Sequence, residues 1–488
     1  MDANTLYRKA LGETKKPDPW QLALATETWP SVLIAPTGSG KTAAVTLGWA
    51  VHRLRDPERT PRRLVWCLPM RTLVEQTAET VREWFARLSA ESWGSPLPEP
   101  RDVYVLMGGV DQKGWLEAPE RPAVLIGTQD MLLSRALMRG YASSRAVWPM
   151  EFALLHEDTQ WVFDEVQLMG AGRATSAQLE AFRRQAANEA AEHGRPNGRP
   201  ARSLWISATL DPKWLATVDH PEPGAAEVLR VAPTSPADSR LADLAQAVKR
   251  LRRSPVAPAS ARQGDLHDYA TRLSAAILEA HRSGCMTLAV VNRVDRAQVL
   301  RDAIERRLPE DPGPAPTLAL IHSRFRPADR AREMKKFAGD GSRAGRIVVA
   351  TQAVEAGVDI SAAVLFTELA PWSSLVQRFG RANRYAELPE GAEVHWIDLL
   401  PEDGAGTDRN AEDLAKPYET AELQAARDRL TKLSDVAPVH LPSPENIKPP
   451  RSVIRRKDLN HLFDTDPDLT RTSHTAGAPA VMEAGGVA

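Results

Sequence analysis

Three groups of residues in this 488-residue chain have the types and spacing that chemistry at a phosphate requires. The first is Ala35-Pro36-Thr37-Gly38-Ser39-Gly40-Lys41-Thr42. A glycine-containing turn between a strand and a helix exposes backbone N–H groups to phosphate oxygens, while the lysine meets the β/γ-phosphates and the threonine hydroxyl supports Mg²⁺. The usual pattern, G-x-x-x-x-G-K-S/T, begins with glycine, and here Ala35 stands in its place. The second group is Asp164-Glu165-Val166-Gln167. Adjacent carboxylates at a strand end are costly without a cation, and Mg²⁺ carried by nucleotide phosphates is the natural partner. Asp164 is then expected to support the metal, and Glu165 to orient and deprotonate an attacking water. The third group, Gln377-Arg378-Phe379-Gly380-Arg381-Ala382-Asn383-Arg384, repeats its polar residues at helical spacing. That spacing puts Arg381 and Arg384 on neighbouring positions of one helix face. Such arginines neutralise γ-phosphate charge in a transition state.

The elements that must position these groups follow from the hydrophobic pattern. Ser31-Val32-Leu33-Ile34 leads into the first group as a buried strand, and the helical stretch from Ala43 to Leu54 leads out. Just upstream, Pro17 and Pro19 hold the chain extended beside Gln21, whose amide offers a donor and an acceptor that match an adenine edge. Strands over 63–68, 103–107, 123–126, 161–163 and 202–206 end in short polar loops. Pro69, Arg71 and Thr72, Gly108, and Thr128 with Gln129 therefore fall at the carboxyl edge, where open α/β sheets bind ligands and where a nucleic-acid backbone can approach main-chain amides. Ser207 and Thr209 end the last strand and are placed to relay nucleotide state to Asp164 and Glu165. A second alternating unit has about five strands, near 287–291, 317–321, 346–350, 364–366 and 394–397, the signature of another parallel sheet.

These patterns predict an α/β protein with a first lobe over 1–220, a linker over 221–264 containing Lys249-Arg250-Leu251-Arg252-Arg253, a second lobe over 265–400, and a C-terminal extension over 401–488 that loses order towards its end. His267-Asp268, a pair found in some metal sites, is better placed to start a helix. The formal net charge of −1 confines any nucleic-acid surface to a local patch. The two cysteines, Cys67 and Cys285, exclude a disulfide framework and fit a reducing cytoplasm, and no apolar run is long enough to span a membrane.

Taken in order, the motifs resemble the superfamily 2 helicase core over about residues 15–400: Gln21, Ala35–Thr42, Pro69–Thr72, Thr128–Gln129, Asp164–Gln167, Ser207–Thr209, Asn292, Thr351–Asp359 and Gln377–Arg384. Within that superfamily, the stretches 322–325, 352–359 and 377–384 are similar to the signature helicase of type I CRISPR systems, and Asp458-Leu459 with Leu462-Phe463-Asp464-Thr465 resembles the C-terminal region of one of its branches. The resemblance implies two tandem RecA-like lobes of the P-loop NTPase class, followed by a short helical or irregular C-terminal region. It implies ATP with Mg²⁺ as cofactors, Gly357 and Asp359 in the nucleotide site, Gln377, Arg381 and Arg384 beside the γ-phosphate, and Asn292 and Thr351 against nucleic acid. Implied partners are single-stranded DNA, an RNA-guided surveillance complex and a nuclease on a separate chain. The family usually carries an HD nuclease whose ligand set is not recognisable before Gln21 or after Leu400, which leaves two alternatives: a nuclease on a separate chain, or a shortened or divergent form of the family in this chain. Two rival readings stay open at this point: a superfamily 2 RNA helicase or DNA-repair translocase outside CRISPR, and a nucleic-acid clamp with weak ATPase.

Overall fold

The computed structural model describes residues 2–13, 16–90, 96–194, 198–231, 239–308, 315–326, 343–355, 358–401, 409–442 and 452–463, together with the separate positions Asp329, Arg332, Glu333, Lys335 and Lys336. Among the described residues, fourteen strands form two sheets. The first contains β1 (Val32–Ile34), β2 (Arg63–Leu68), β3 (Val103–Met107), β4 (Val110–Asp111), β5 (Ala123–Thr128), β6 (Thr159–Asp164), β7 (Arg202–Ser207) and β8 (Val228–Arg230). Their order is β4-β3-β5-β2-β6-β7-β1-β8, parallel except where β4 turns back on β3. The second contains β9 (Lys249–Arg253), β10 (Met286–Val290), β11 (Thr317–Ile321), β12 (Arg346–Ala350), β13 (Val364–Glu368) and β14 (Ala392–Ile397). It is parallel throughout, in the order β11-β12-β10-β13-β14-β9.

Near-continuous apolar strands are what a sheet covered on both faces requires. Successive residues of β2 show it: Leu64, Trp66 and Leu68 pack with the helices Lys41–Arg55 and Arg71–Ser89, whereas Val65 and Cys67 pack on the opposite side with Gln129–Ala136 and Ala171–Glu192. On that second side Trp161 and Phe163 of β6 stack at 5.3 Å, and Phe163 meets Trp205 of β7 at 6.0 Å. These rings fix the spacing of the two strands that end in the candidate site.

The stretch expected to be a linker gives a strand to each sheet instead. β8 pairs with β1, matching Val32 to Val228, and β9 pairs with β14, matching Val394 to Leu251. In β9 the alternation is carried by a lysine: Lys249 and Leu251 are buried while Arg250, Arg252 and Arg253 are exposed. Lys249 Nζ donates to the Phe379 carbonyl at 2.9 Å, and burial lowers its pKa to about 8. Two inward positions among arginines do not register as a strand until tertiary packing shows which face is covered. The second sheet accordingly has six strands where about five were expected.

The described part of the C-terminal region is helical. Leu423, Ala426 and Leu430 of the helix Thr420–Leu430 join the second-lobe core. The helix Arg456–Leu462 returns to the first lobe, where Leu459 is buried, Arg455 forks onto Asp219 at 2.9 and 3.2 Å, and Arg456 onto Glu189 at 2.5 and 2.7 Å. Asp464 and Thr465 of the motif singled out in the sequence lie outside the described residues. His267-Asp268 occupies a helix, where His267 bonds the Gln263 carbonyl and Asp268 accepts from Arg272.

Beneath the second sheet's carboxyl edge lies a buried polar knot centred on Glu368. Its carboxylate accepts from Asn292 N at 2.7 Å, Arg296 Nη1 at 3.1 Å and Tyr269 Oη at 3.2 Å. Removing one partner of a buried pair strands the other charge, at a cost of about 3–5 kcal/mol. Glu368→Ala should therefore lower the melting temperature of the second lobe far more than Glu393→Ala, which removes a part-exposed partner of Arg282. Equal shifts by differential scanning calorimetry would contradict this assignment.

Candidate active site at the lobe boundary

Sheet register brings the first two chemical groups to one edge. β7 lies between β1 and β6, pairing Ser207 with Ile34 and Ile206 with Asp164. The loop after β1 thus emerges beside the acidic end of β6, with Ser207 between them. In that loop Gly38 and Gly40 have φ of +83° and +85°, which glycine alone adopts readily. Ala35 is not among the described residues with positive φ, so alanine at the first position costs no backbone strain. Ser39 is buried and donates to the Pro36 carbonyl at 2.7 Å, while Pro36, Thr37 and Thr42 are partly buried. Lys41 opens the helix Lys41–Arg55 and folds back, Nζ donating to the Ala35 carbonyl at 3.3 Å.

Gln21 sits differently from expectation. Its Nε2 donates to the carbonyls of Ser39 at 3.1 Å and Gly40 at 3.3 Å, and its Oε1 accepts from Asp18 N at 2.9 Å. With both amide hydrogens spent on the loop, Gln21 braces the phosphate cradle and offers no donor to an adenine edge. A Cβ on Gly40 would come within 2.7 Å of that Nε2, a second reason for glycine there.

Glu165 has φ +52°, a left-handed conformation unusual for a residue with a side chain, and such strain concentrates at functional sites. Its N–H donates to Asp164 Oδ1 at 2.9 Å, and its Oε2 accepts from Gln167 Nε2 at 2.5 Å. Gln167 Oε1 in turn accepts from Ser207 Oγ at 2.6 Å, and the same hydroxyl oxygen accepts from Thr209 N at 3.0 Å. An amide at position 167 is what this chain of bonds needs: a carboxylate there could accept from Ser207 but could not donate to Glu165. Burial, followed by the charge of Glu165, raises the Asp164 pKa to about 7, partly offset by Lys41.

The second lobe differs from expectation around its arginines. The helix Trp372–Phe379 ends before Gly380, so Arg381 and Arg384 do not share a helical face. Arg381 is buried, its Nη2 donating to the Glu355 carbonyl at 2.7 Å, and it braces the loop after β12. Arg378, fully buried, reaches Glu355 and Thr367 at 2.8 and 3.0 Å and Asn292 Oδ1 at 3.0 Å. Arg384 is the one of the three at the lobe boundary. Its carbonyl lies 3.6 Å from where a Cβ on Gly38 would stand, and its Nε and Nη1 have no hydrogen-bond partner. Gln377 is buried within the helix. Asp359 is exposed, 3.5 Å from Arg384 Nε and hydrogen-bonded by the Tyr385 hydroxyl. Gly357 lies outside the described residues.

The residues expected to meet nucleic acid divide into two sets. Pro69, exposed Arg71, Gly108 and Gln129 border the first sheet's carboxyl edge, Arg71 Nη1 lying 3.8 Å from a Cβ position on Gly108. Thr72 and Thr128 are buried at the same edge, and Thr72 Oγ1 has no hydrogen-bond partner. Asn292 and Thr351 belong to the second lobe's interior. Asn292 spends its amide on the Leu369 carbonyl at 2.8 Å and on Arg378, so its side chain is unavailable to a ligand. Two residues that sequence reasoning passed over also meet the cradle. Arg240 Nη2 donates to the Gly38 carbonyl at 3.4 Å and pairs with Asp18 at 3.7 Å, and the Tyr385 ring lies 3.9 Å from a Cβ position on Gly38. No sequence signal ranked Arg240 above its neighbours, because its stretch reads as linker.

Magnesium with a nucleotide fits these residues. Asp164 supplies a hard carboxylate oxygen whose charge burial disfavours until a cation arrives, Thr42 adds a hydroxyl, and the Arg384 guanidinium, ion-paired with Asp359 at 3.5 Å, brings a positive charge to the boundary. Asp164 and Thr42 would hold the metal, which would neutralise phosphate charge.

The DEAD/DEAH box helicase family matches residues 21–218, and the C-terminal family of CRISPR-associated nuclease/helicase Cas3 matches 283–387. A CRISPR-associated nuclease/helicase Cas3 of Myxococcus xanthus is 33% identical over 163 residues, covering 33% of this chain and 19% of that protein. The Lhr helicase of Mycolicibacterium smegmatis is 27% identical over 422 residues, covering 76% and 25%. The AMPPNP-bound structure of T. fusca Cas3 superposes with a TM-score of 0.57 at 20% identity, covering 88% of this chain and 51% of that one. This chain thus spans about a fifth to a half of these proteins. The fold and the two family matches are those of a superfamily 2 helicase core, a class built from two RecA-like lobes. Within that class, residues 283–387 are similar to the C-terminal region of Cas3. Among the described residues no helix is long and apolar enough to cross a membrane.

The raised Asp164 pKa sets a pH dependence. The folded, nucleotide-free chain keeps this proton to about pH 7, whereas an unfolded carboxyl releases it near 3.8, so stability falls as pH rises between those values. Asp164→Asn should raise the melting temperature more at about pH 8 than at about pH 5. The same gain at both would contradict a buried, protonated Asp164.

Proposed function

We propose that this chain is an ATP-driven motor that tracks single-stranded DNA in CRISPR interference and unwinds a target located by an RNA-guided surveillance complex. ATP with Mg²⁺ binds the loop 35–42, Glu165 activates the attacking water, and Arg384 supplies positive charge as the lobes close. The observation that carries the reading is the approach of the second lobe to the cradle, where the Arg384 carbonyl and the Tyr385 ring lie 3.6 and 3.9 Å from a Cβ position on Gly38, while the acidic pair of the first lobe is linked to β7. The first sheet's carboxyl edge, with Arg71 exposed beside Gly108, supports a backbone-tracking surface.

The long match to the Lhr helicase favours a second reading, a DNA translocase working outside CRISPR. Unwinding that is indifferent to an RNA-guided complex would select it, and stimulation by RNA in place of DNA would select an RNA helicase.

Loss of an arginine finger costs roughly 10³–10⁵ in turnover. Arg384→Ala should therefore remove DNA-stimulated ATP hydrolysis while binding of a fluorescent ATP analogue persists. Arg381→Lys, at a residue that braces a loop, should be far milder. Substantial hydrolysis by Arg384→Ala would sink the assignment.

A further inference from the structure

Arg384 poses a problem of its own. A flexible side chain acting on a transition state must be held still, yet its Nε and Nη1 have no hydrogen-bond partner. Its backbone is anchored, since Arg384 N donates to Ser361 Oγ at 2.7 Å. What restrains the guanidinium is the next residue. Arg384 Cζ lies 5.5 Å from the centroid of the Tyr385 ring, and Asp359 Oδ1 lies 3.5 Å from Arg384 Nε. The Tyr385 hydroxyl donates to that same Asp359 oxygen, so ring, carboxylate and guanidinium close a triangle.

The ring is itself oriented. Tyr385 N donates to Glu387 Oε2 at 2.9 Å, and Cε1 lies 3.9 Å from the position of a Cβ on Gly38. Tyr385 nonetheless stays 44% exposed, a large ring left at the edge of the boundary instead of in either core. Packing alone does not account for it there.

We propose that Tyr385 is a positioning residue for hydrolysis: its ring and its bond to Asp359 hold the Arg384 guanidinium in register, and its contact with Gly38 ties that register to lobe closure. The proposal rests on the reading of Arg384 as the finger. An aromatic face beneath a guanidinium restrains its plane without taking up its in-plane N–H directions, and here Nε and Nη1 are buried beside the ring with no hydrogen-bond partner. The Asp359 contact is part-exposed and adds direction more than strength.

The test measures kcat and KM for DNA-stimulated ATP hydrolysis in the full chain and in Tyr385→Ala, Tyr385→Phe, Arg384→Ala and the Arg384→Ala/Tyr385→Ala double variant. Tyr385→Ala should lower kcat about 5- to 30-fold with KM for ATP nearly unchanged. Tyr385→Phe, which keeps the ring, should recover most of that loss. In the Arg384→Ala background the second substitution should change nothing further, because Tyr385 acts through Arg384. Overturning results are an undiminished kcat in Tyr385→Ala, an equal loss in both backgrounds, or a rise in KM alone, which would place the ring on the nucleotide. Should Arg384→Ala itself hydrolyse normally, the finger reading falls and Tyr385 falls with it. An intact Arg384 effect beside a silent Tyr385→Ala overturns only the present proposal. Binding of a fluorescent ATP analogue establishes that each variant is folded. If Tyr385→Ala fails to bind, Tyr385→Leu replaces it and meets the same criteria.

Discussion

The charge of a triphosphate is the constraint on which this molecule depends. In the first lobe, Gln21 braces the cradle, Lys41 Nζ turns back to the Ala35 carbonyl within it, and the buried Asp164 suits a metal. The Arg384 backbone carbonyl approaches Gly38 from the second lobe, so on the proposed reading positive charge from that lobe reaches the site only when the two sheets come together. On the reading proposed above, a site divided between two bodies makes hydrolysis conditional on their closure. That is what a motor needs, because the chemistry then reports on the arrangement of the surfaces that grip the track.

The interior of each lobe serves that division. In the first, β7 lies between the cradle strand and the acidic strand, so Ser207 can bond Gln167, and Gln167 can bond Glu165. The bonds run along the sheet edge instead of through solvent, and stacked aromatic rings beneath hold the strands in place. In the second, Arg378, Glu355, Asn292 and Glu368 form a buried network under the loop that carries Arg384. A rigid base of this kind lets one arginine project to the boundary while two others remain inside.

Much of this was legible in the sequence because it is written locally. Apolar runs such as Leu64–Leu68 announce buried parallel strands, and the residues at their carboxyl ends announce the ligand edge. The cradle, the acidic pair and the hydroxyls at the end of the neighbouring strand follow from order and side-chain chemistry alone. What was not legible depends on tertiary placement. β9 buries a lysine and a leucine among arginines, and only packing shows which face is covered. Gly380 lies just beyond a helix end, which separates Arg381 from Arg384 and sends the first inward. Asn292 stands at a strand end like a ligand contact but is spent on Arg378 and Leu369, because such ends serve buried networks as well as sites. Tyr385 and Arg240 gain their interest only from the cradle brought beside them.

The most direct test of a motor completed by lobe closure is the ATP hydrolysis rate of the full chain with and without circular single-stranded DNA, in Mg²⁺. The account predicts slow hydrolysis by the free protein and a several-fold rise when DNA favours the closed arrangement, with the rise lost in high salt as phosphate contacts are screened. Hydrolysis at the same rate with and without DNA would contradict it.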